Sequence, residues 1–196
     1  MIKYILTIAL LFHFSIAYTQ NKIEWSKEYK LKKEDYLAEA PNSGKQQTIL
    51  SSFTIGFQVA NYSLITSRNL NRTVSCYFQK DASYIDNGDP SSTSELIRYQ
   101  QLLFDLYELS ARNLRKKFFV ERKRLLWEGS TVLYEEVTSE QTRLIAKVDR
   151  ETEHGNNLTK LAEWEATIAE ELKRLSDFSK DGRPKREKKK KKRTKK

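Results

Sequence analysis

Few side chains in this chain could bind a metal or act as a nucleophile. It has two histidines, His13 and His154, and one cysteine, Cys76. A strong zinc site needs several nitrogen or sulfur donors, and His154 alone cannot supply them. The carboxylates Asp105, Glu108 and Asp149 are hard donors that would hold a hard ion only weakly. Cys76 lies in the apolar run Val74-Ser75-Cys76-Tyr77-Phe78, where a free cysteine is a small core residue rather than a reactive thiol. Neither a metal cluster nor a histidine-based nucleophile arrangement is visible, and no cofactor is expected.

The other chemically suggestive segment is the C-terminus. The chain has 36 basic and 26 acidic residues, of which twelve basic and two acidic fall within 180–196. That surplus of ten equals the whole formal charge of +10, so the remainder is balanced. Such a run repels itself and has nothing apolar to bury, which predicts a disordered tail over 179–196. Lys185, Arg186, Lys188, Lys189, Lys190, Lys191, Lys192, Arg193, Lys195 and Lys196 would bind anionic lipid, acidic polymer or nucleic acid as point charges. The alternative is a tail that merely solubilises. No aromatics are interleaved, so stacking on bases is not suggested.

The elements that must position these groups divide the chain in two. Thr48 to Tyr62 is rich in β-branched and aromatic residues and predicts a strand, as does Val74 to Phe78. Ala40-Pro41-Asn42-Ser43-Gly44 is a turn signal, Leu64 to Leu70 is ambiguous, and Asp86-Asn87-Gly88-Asp89-Pro90 ends the β half. Ser92-Thr93-Ser94-Glu95 then has the form of a capping box. Leu96, Tyr99, Leu103, Leu106, Ser110, Leu114 and Phe118 follow at helical spacing and predict one buried stripe. A second helix is expected from about Ser139 to Glu153. A third follows Gly155-Asn156-Asn157, with Leu158, Leu161, Trp164, Ile168, Leu172 and Leu175 on its apolar face. Strands followed by helices predict an α+β domain over 20–178, with an N-terminal antiparallel β-sheet and then long helices.

Residues 1–19 read as a signal peptide. Lys3 supplies the positive start, Tyr4 to Ile16 is apolar, and Ala17-Tyr18-Thr19 places small residues before Gln20. The mature chain would then be periplasmic or extracellular; the alternative is an uncleaved N-terminal anchor. The absence of a cysteine pair does not conflict with export, provided the domain has an adequate core.

Two helical segments carry a resemblance. Leu96 to Arg115 resembles the helix of the bacterial domain of unknown function 922 family, a group of proposed zinc-dependent, zincin-like peptidases. That helix reads roughly L-x-x-H-E-Q-x-H-F-D-I-x-E-x-x-A-R-x-L-R. Asp149-Arg150-Glu151-Thr152-Glu153-His154-Gly155, followed by Trp164, is similar to the family's Y-D-x-x-T-x-H-G and trailing tryptophan. Weaker agreements are Trp25, Leu31 with Asp35-Tyr36, and Ser83-Tyr84. Together they span Trp25 to about Leu175. The resemblance implies a zincin-like fold, with His154 at the position of a third zinc ligand.

The departures fall on the chemistry. A zincin helix presents two histidines four residues apart to zinc, and the glutamate between them acts on the metal-bound water as general base. The corresponding stretch here is Tyr99-Gln100-Gln101-Leu102-Leu103. Leu103 has no lone pair, and the Gln100 amide cannot accept a proton. The Tyr99 phenol is a poor ligand unless ionised, which is unfavourable given an ordinary pKa of about 10. Tyr99 and Leu103 read first as core positions, and Asp105 and Glu108 as helix-surface or supporting groups. His154 is either a remnant of the site or a helix-junction histidine that hydrogen-bonds a backbone carbonyl.

The expectation is therefore an exported, catalytically inactive zincin-like homologue with a binding or structural role in the cell envelope. It would act through an unidentified protein partner, and no small-molecule substrate is identified. Polyanion binding through the tail, and hydrolysis at an unrecognised site, remain open.

Overall fold

Alternation of apolar and polar side chains forms the sheet. The computed structural model describes residues 21–41, 49–59, 66–67, 69–86 and 90–185. The strands are β1 (Lys22–Glu24), β2 (Ile49–Phe57) and β3 (Val74–Ile85), in the order β1-β3-β2 with both pairings antiparallel. Val74, Cys76 and Phe78 recur every second residue on β3 and are buried, as period-2 geometry requires. They stand opposite Phe57, Ile55 and Phe53 of β2.

β3 is longer than its apolar run predicts, because it continues through a bulge. Ser52 pairs with Gln79 whereas Leu50 pairs with Tyr84, so β3 has extra residues opposite the shift. Ser83, fully buried, ties the bulge together: its hydroxyl donates to the Gln79 carbonyl and accepts from the Ser52 N–H. The N–H groups of Leu37 and Ala38 add bonds to the Lys80 and Ser83 carbonyls. β2 is shorter than Thr48 to Tyr62, ending at Phe57.

The helices are α1 (Pro90–Val120), α2 (Arg122–Glu128), α3 (Ser130–Thr152) and α4 (Leu158–Arg174). This is the α+β arrangement expected: an antiparallel sheet followed by helices. α1 has 31 residues and, at 1.5 Å rise per residue, is about 46 Å long. The expected single stripe is in fact two buried faces. Phe104, Ala111, Leu114 and Phe118 pack with the sheet residues and with Leu133 and Val137 of α3. Tyr99, Leu102, Leu106 and Leu109 pack with Val148 of α3 and with Leu161, Ile168 and Leu172 of α4. A helix covered on two sides buries most of its circumference, so a one-sided pattern describes it poorly. Leu103 lies between the faces and is only half-buried. Burying a phenylalanine such as Phe78, Phe104 or Phe118 stabilises the domain by about 1.5–3 kcal/mol each.

α3 starts nine residues before the expected Ser139. Val132, Val137 and Thr138 are β-branched and lower local helix propensity, but Leu133 and Val137 are buried and tertiary packing prevails. Gly129, at φ +87°, separates α3 from the unexpected α2. On α4 the expected apolar face is present at Leu161, Ile168 and Leu172, and Leu175 just beyond its end is also buried; Leu158 is instead exposed.

After α4 the chain is strapped back onto the sheet. The buried Asn71 side-chain amide donates to the carbonyls of Asp177, Ser179 and Gly182. Arg72 pairs with Asp181 at 2.7 Å, and Lys180 pairs with Glu24 of β1. The expected boundary at 178 thus falls inside a docked segment, and residues 179–182 belong to the domain. No helix among the described residues is long and apolar enough to cross a membrane. α1 starts at Pro90, so the expected cap at Ser92 falls within its first turn rather than before it. The expected signal peptide, most of the Ala40 to Gly44 turn, and the tail from Arg186 onward lie outside the described residues.

Candidate functional site

The N-terminal half of α1 and the end of α3 come together at Tyr99, Asp149 and His154. The Tyr99 hydroxyl donates to Asp149 Oδ1 at 2.5 Å, across 50 residues of sequence. His154 Nδ1 lies 2.8 Å from the same oxygen. A carboxylate oxygen accepts, so the tautomer with hydrogen on Nδ1 fits this contact. The expected partner of His154, a backbone carbonyl, is thus replaced by a carboxylate side chain.

The turn after α3 explains how His154 reaches that place. Glu153, His154 and Gly155 have φ of +52°, +57° and +91°, an unusual run of left-handed residues. Thr152, fully buried, anchors it: its hydroxyl donates to the Val148 carbonyl and accepts from the Gly155 N–H, and its own carbonyl accepts from Asn157. Gly155 is required on two grounds. Its φ suits glycine, and a Cβ there would come within 2.7 Å of the Tyr99 Cβ and Cγ.

The electrostatics keep Tyr99 neutral. Burial first, then the hydrogen bond to Asp149 and that group's charge, push the phenol well above its ordinary range. Gln100 is buried, Leu103 supplies apolar surface, and His154 has a side chain 76% exposed. Zinc, the metal implied by the resemblance, does not fit this set: one imidazole, one carboxylate already bonded twice, and a phenol held protonated. Among the described residues no group of three or more His, Cys, Asp or Glu side chains is disposed to hold a metal ion.

The carboxylates considered as weak ion ligands have protein partners. Asp105 Oδ1 accepts from the Trp25 indole at 2.7 Å and from Gln101 at 2.9 Å. Burial raises its pKa, opposed by those hydrogen bonds and by Lys30. Glu108 is not a surface group: it is 3% exposed and lies between Arg112 and Arg115. Arg112 Nε donates to Glu108 Oε1 at 2.9 Å, and the guanidinium lies 5.2 Å from the Trp25 ring. Arg115, 1% exposed, donates to both Glu108 oxygens and to the carbonyls of Val74 and Phe178. It joins helix, sheet and C-terminal strap at one point.

The sequence reading missed this cluster, although a signal was present. Arg115 follows Ala111 by four residues and precedes Phe118 by three, which places it in the buried register, and Glu108 precedes it by two turns. Cys76, by contrast, is the buried core thiol expected. Burial pushes its pKa up, so it is held as the thiol. Lys185 is exposed, and the rest of the expected anion-binding residues lie beyond the described segment. No family model matches the chain, and no curated protein or solved structure matches it.

Proposed function

We propose that this chain is an exported zincin-like pseudoenzyme: a metallopeptidase homologue without the groups for zinc binding and proton transfer, with a binding or structural role in the bacterial cell envelope. One observation carries the reading. Two segments that resemble the peptidase motif separately, fifty residues apart, meet through Tyr99, Asp149 and His154. A tyrosine thus stands at the first-histidine position, joined by one carboxylate to the histidine at the third-ligand position. The chemistry of the replacements supports loss of catalysis. A neutral phenol, an amide and a leucine can neither coordinate zinc strongly nor activate water. Bonded as they are, these residues fasten α1 to the end of α3.

The test is to restore the motif. The variant Tyr99→His/Gln100→Glu/Leu103→His should bind zinc at least about tenfold more tightly than the parent, measured by competition with a chromophoric chelator. Adding His154→Ala should remove the gain. A folded triple variant with no gain would separate His154 from the motif and end this reading; activity need not return.

The segregated charge favours a second role, attachment to polyanions through the tail. Asp181 and Lys180 are paired on the domain, so the surplus of basic residues to be tested is the one in the sequence from Arg183 onward. Binding to anionic vesicles should weaken steeply with salt and vanish when 183–196 are deleted. Retained, salt-insensitive binding would place the surface on the domain.

A further inference from the structure

A cavity of about 300 Å³ lies beside the buried ion cluster, walled by Trp25, Cys76, Arg112 and the strap residues Ser179 and Lys180. The two arginines that reach it differ. Arginine has five N–H donors. All five of Arg115 are engaged, by Glu108, Val74 and Phe178. Arg112 uses one on Glu108 and one on the Leu172 carbonyl. Both Nη2 hydrogens and one on Nη1 have no partner among the described residues, although its side chain is only 8% exposed.

The charge count points the same way. Two guanidinium groups face one carboxylate in this buried cluster, leaving one positive charge in surplus. Neighbouring charges do not offset it: Glu24 is paired with Lys180, Asp181 with Arg72, and Lys27 and Glu28, which also line the cavity, cancel in the count. The free donors of this largely buried guanidinium reach solvent only at the cavity, and an anion there would accept their hydrogen bonds and offset the surplus charge. Trp25 lies against the guanidinium and Glu108 fixes it from the other side, so the donors are held in place before any ligand arrives.

We infer that this cavity is a binding site for a monocarboxylate, whose oxygens accept from the free donors of Arg112. A dianion fits less well, because only one charge is in surplus and Glu24, Glu28 and Asp181 also line the cavity. The carboxylate belongs either to a small free acid or to the C-terminus of a peptide; the chemistry at Arg112 is the same. The site is built from the other half of α1 and does not depend on the pseudoenzyme reading.

Calorimetric titration of the purified protein with N-acetyl-alanine, its amide and inorganic phosphate is the test. The acid should bind at least tenfold more tightly than either the amide or phosphate. Tetra-alanine with a free or amidated C-terminus separates the two sources. If the free tetrapeptide matches or exceeds the small acid, the site takes peptide ends; if it binds only weakly, the site takes free acids. Arg112→Lys keeps the charge but loses the fork, and should weaken the acid at least tenfold. Ser179→Phe, which fills the cavity without touching the ion cluster, should do the same and covers the case in which Arg112→Lys fails to fold. No binding of the acid, equal binding of acid and amide, tighter binding of phosphate, or full binding by folded Arg112→Lys or Ser179→Phe would each overturn the inference.

Discussion

The two halves of α1 hold their polar residues in different ways. Around Tyr99 the polar groups form a short neutral-to-acidic chain, phenol to carboxylate to imidazole, at a partly exposed junction with α3. Around Glu108 the groups are two guanidiniums and a carboxylate, almost fully buried and tied to sheet and strap. Both lie in segments that resemble the same peptidase helix, yet the residues that depart from it are in the first half. Those that agree, Asp105, Glu108, Arg112 and Arg115, have structural partners in the second. The difference teaches that one helix can carry a partly exposed polar junction and a buried ion cluster, each fastening it to different neighbours.

The largest expected effect lies in the buried half. Among the described residues Glu108 is the one carboxylate paired with Arg112 and Arg115, and Glu108→Gln leaves both buried guanidiniums without that countercharge. Breaking a buried pair in this way costs about 3–5 kcal/mol, which urea denaturation would read directly. A loss below about 1 kcal/mol would put water around Glu108 and erase the contrast between the two halves.

At the other end the backbone is the sensitive part. Gly155→Ala forces a side chain into a left-handed φ and against the Tyr99 ring, at a cost of roughly 1–3 kcal/mol in the same experiment. A neutral alanine there would mean the turn is loosely packed and does not hold His154 in place.

Tyr99→Phe should cost least, about 1 kcal/mol for one hydrogen bond, with Asp149 keeping His154 as partner. It also has a pH signature. Burial pushes Tyr36 up to about 12, and Tyr99 is raised as well, whereas an unfolded tyrosine titrates near 10. The folded protein therefore holds these protons more tightly. The stability they contribute is complete below about pH 10 and is lost as pH rises through their folded values. Ultraviolet titration should show tyrosinate forming late in the native protein, with one fewer late group in Tyr99→Phe. Ordinary titration of every tyrosine would leave Tyr99 solvated.

The sequence made the order of elements legible, because strand-like alternation gives way to helical spacing near Pro90. It hid the two-sided burial of α1, since a stripe drawn through Tyr99, Leu103 and Phe118 crosses from one buried face to the other. The start of α3 was obscured by β-branched residues whose preference is overridden by packing. Charged residues are seldom fully buried, so Glu108 read as a helix-surface or supporting group and Arg112 and Arg115 were not marked as buried, even though Ala111, Leu114 and Phe118 flank them. The meeting of Tyr99, Asp149 and His154 joins positions fifty residues apart, which no local pattern reveals; only the resemblance drew His154 toward the motif.

Metal analysis of the gently purified protein bears most directly on the central claim, that the motif end of α1 no longer forms a zinc site. The account predicts no stoichiometric zinc, in the parent and in His154→Ala alike. About one zinc per chain, lost on His154→Ala, would contradict it.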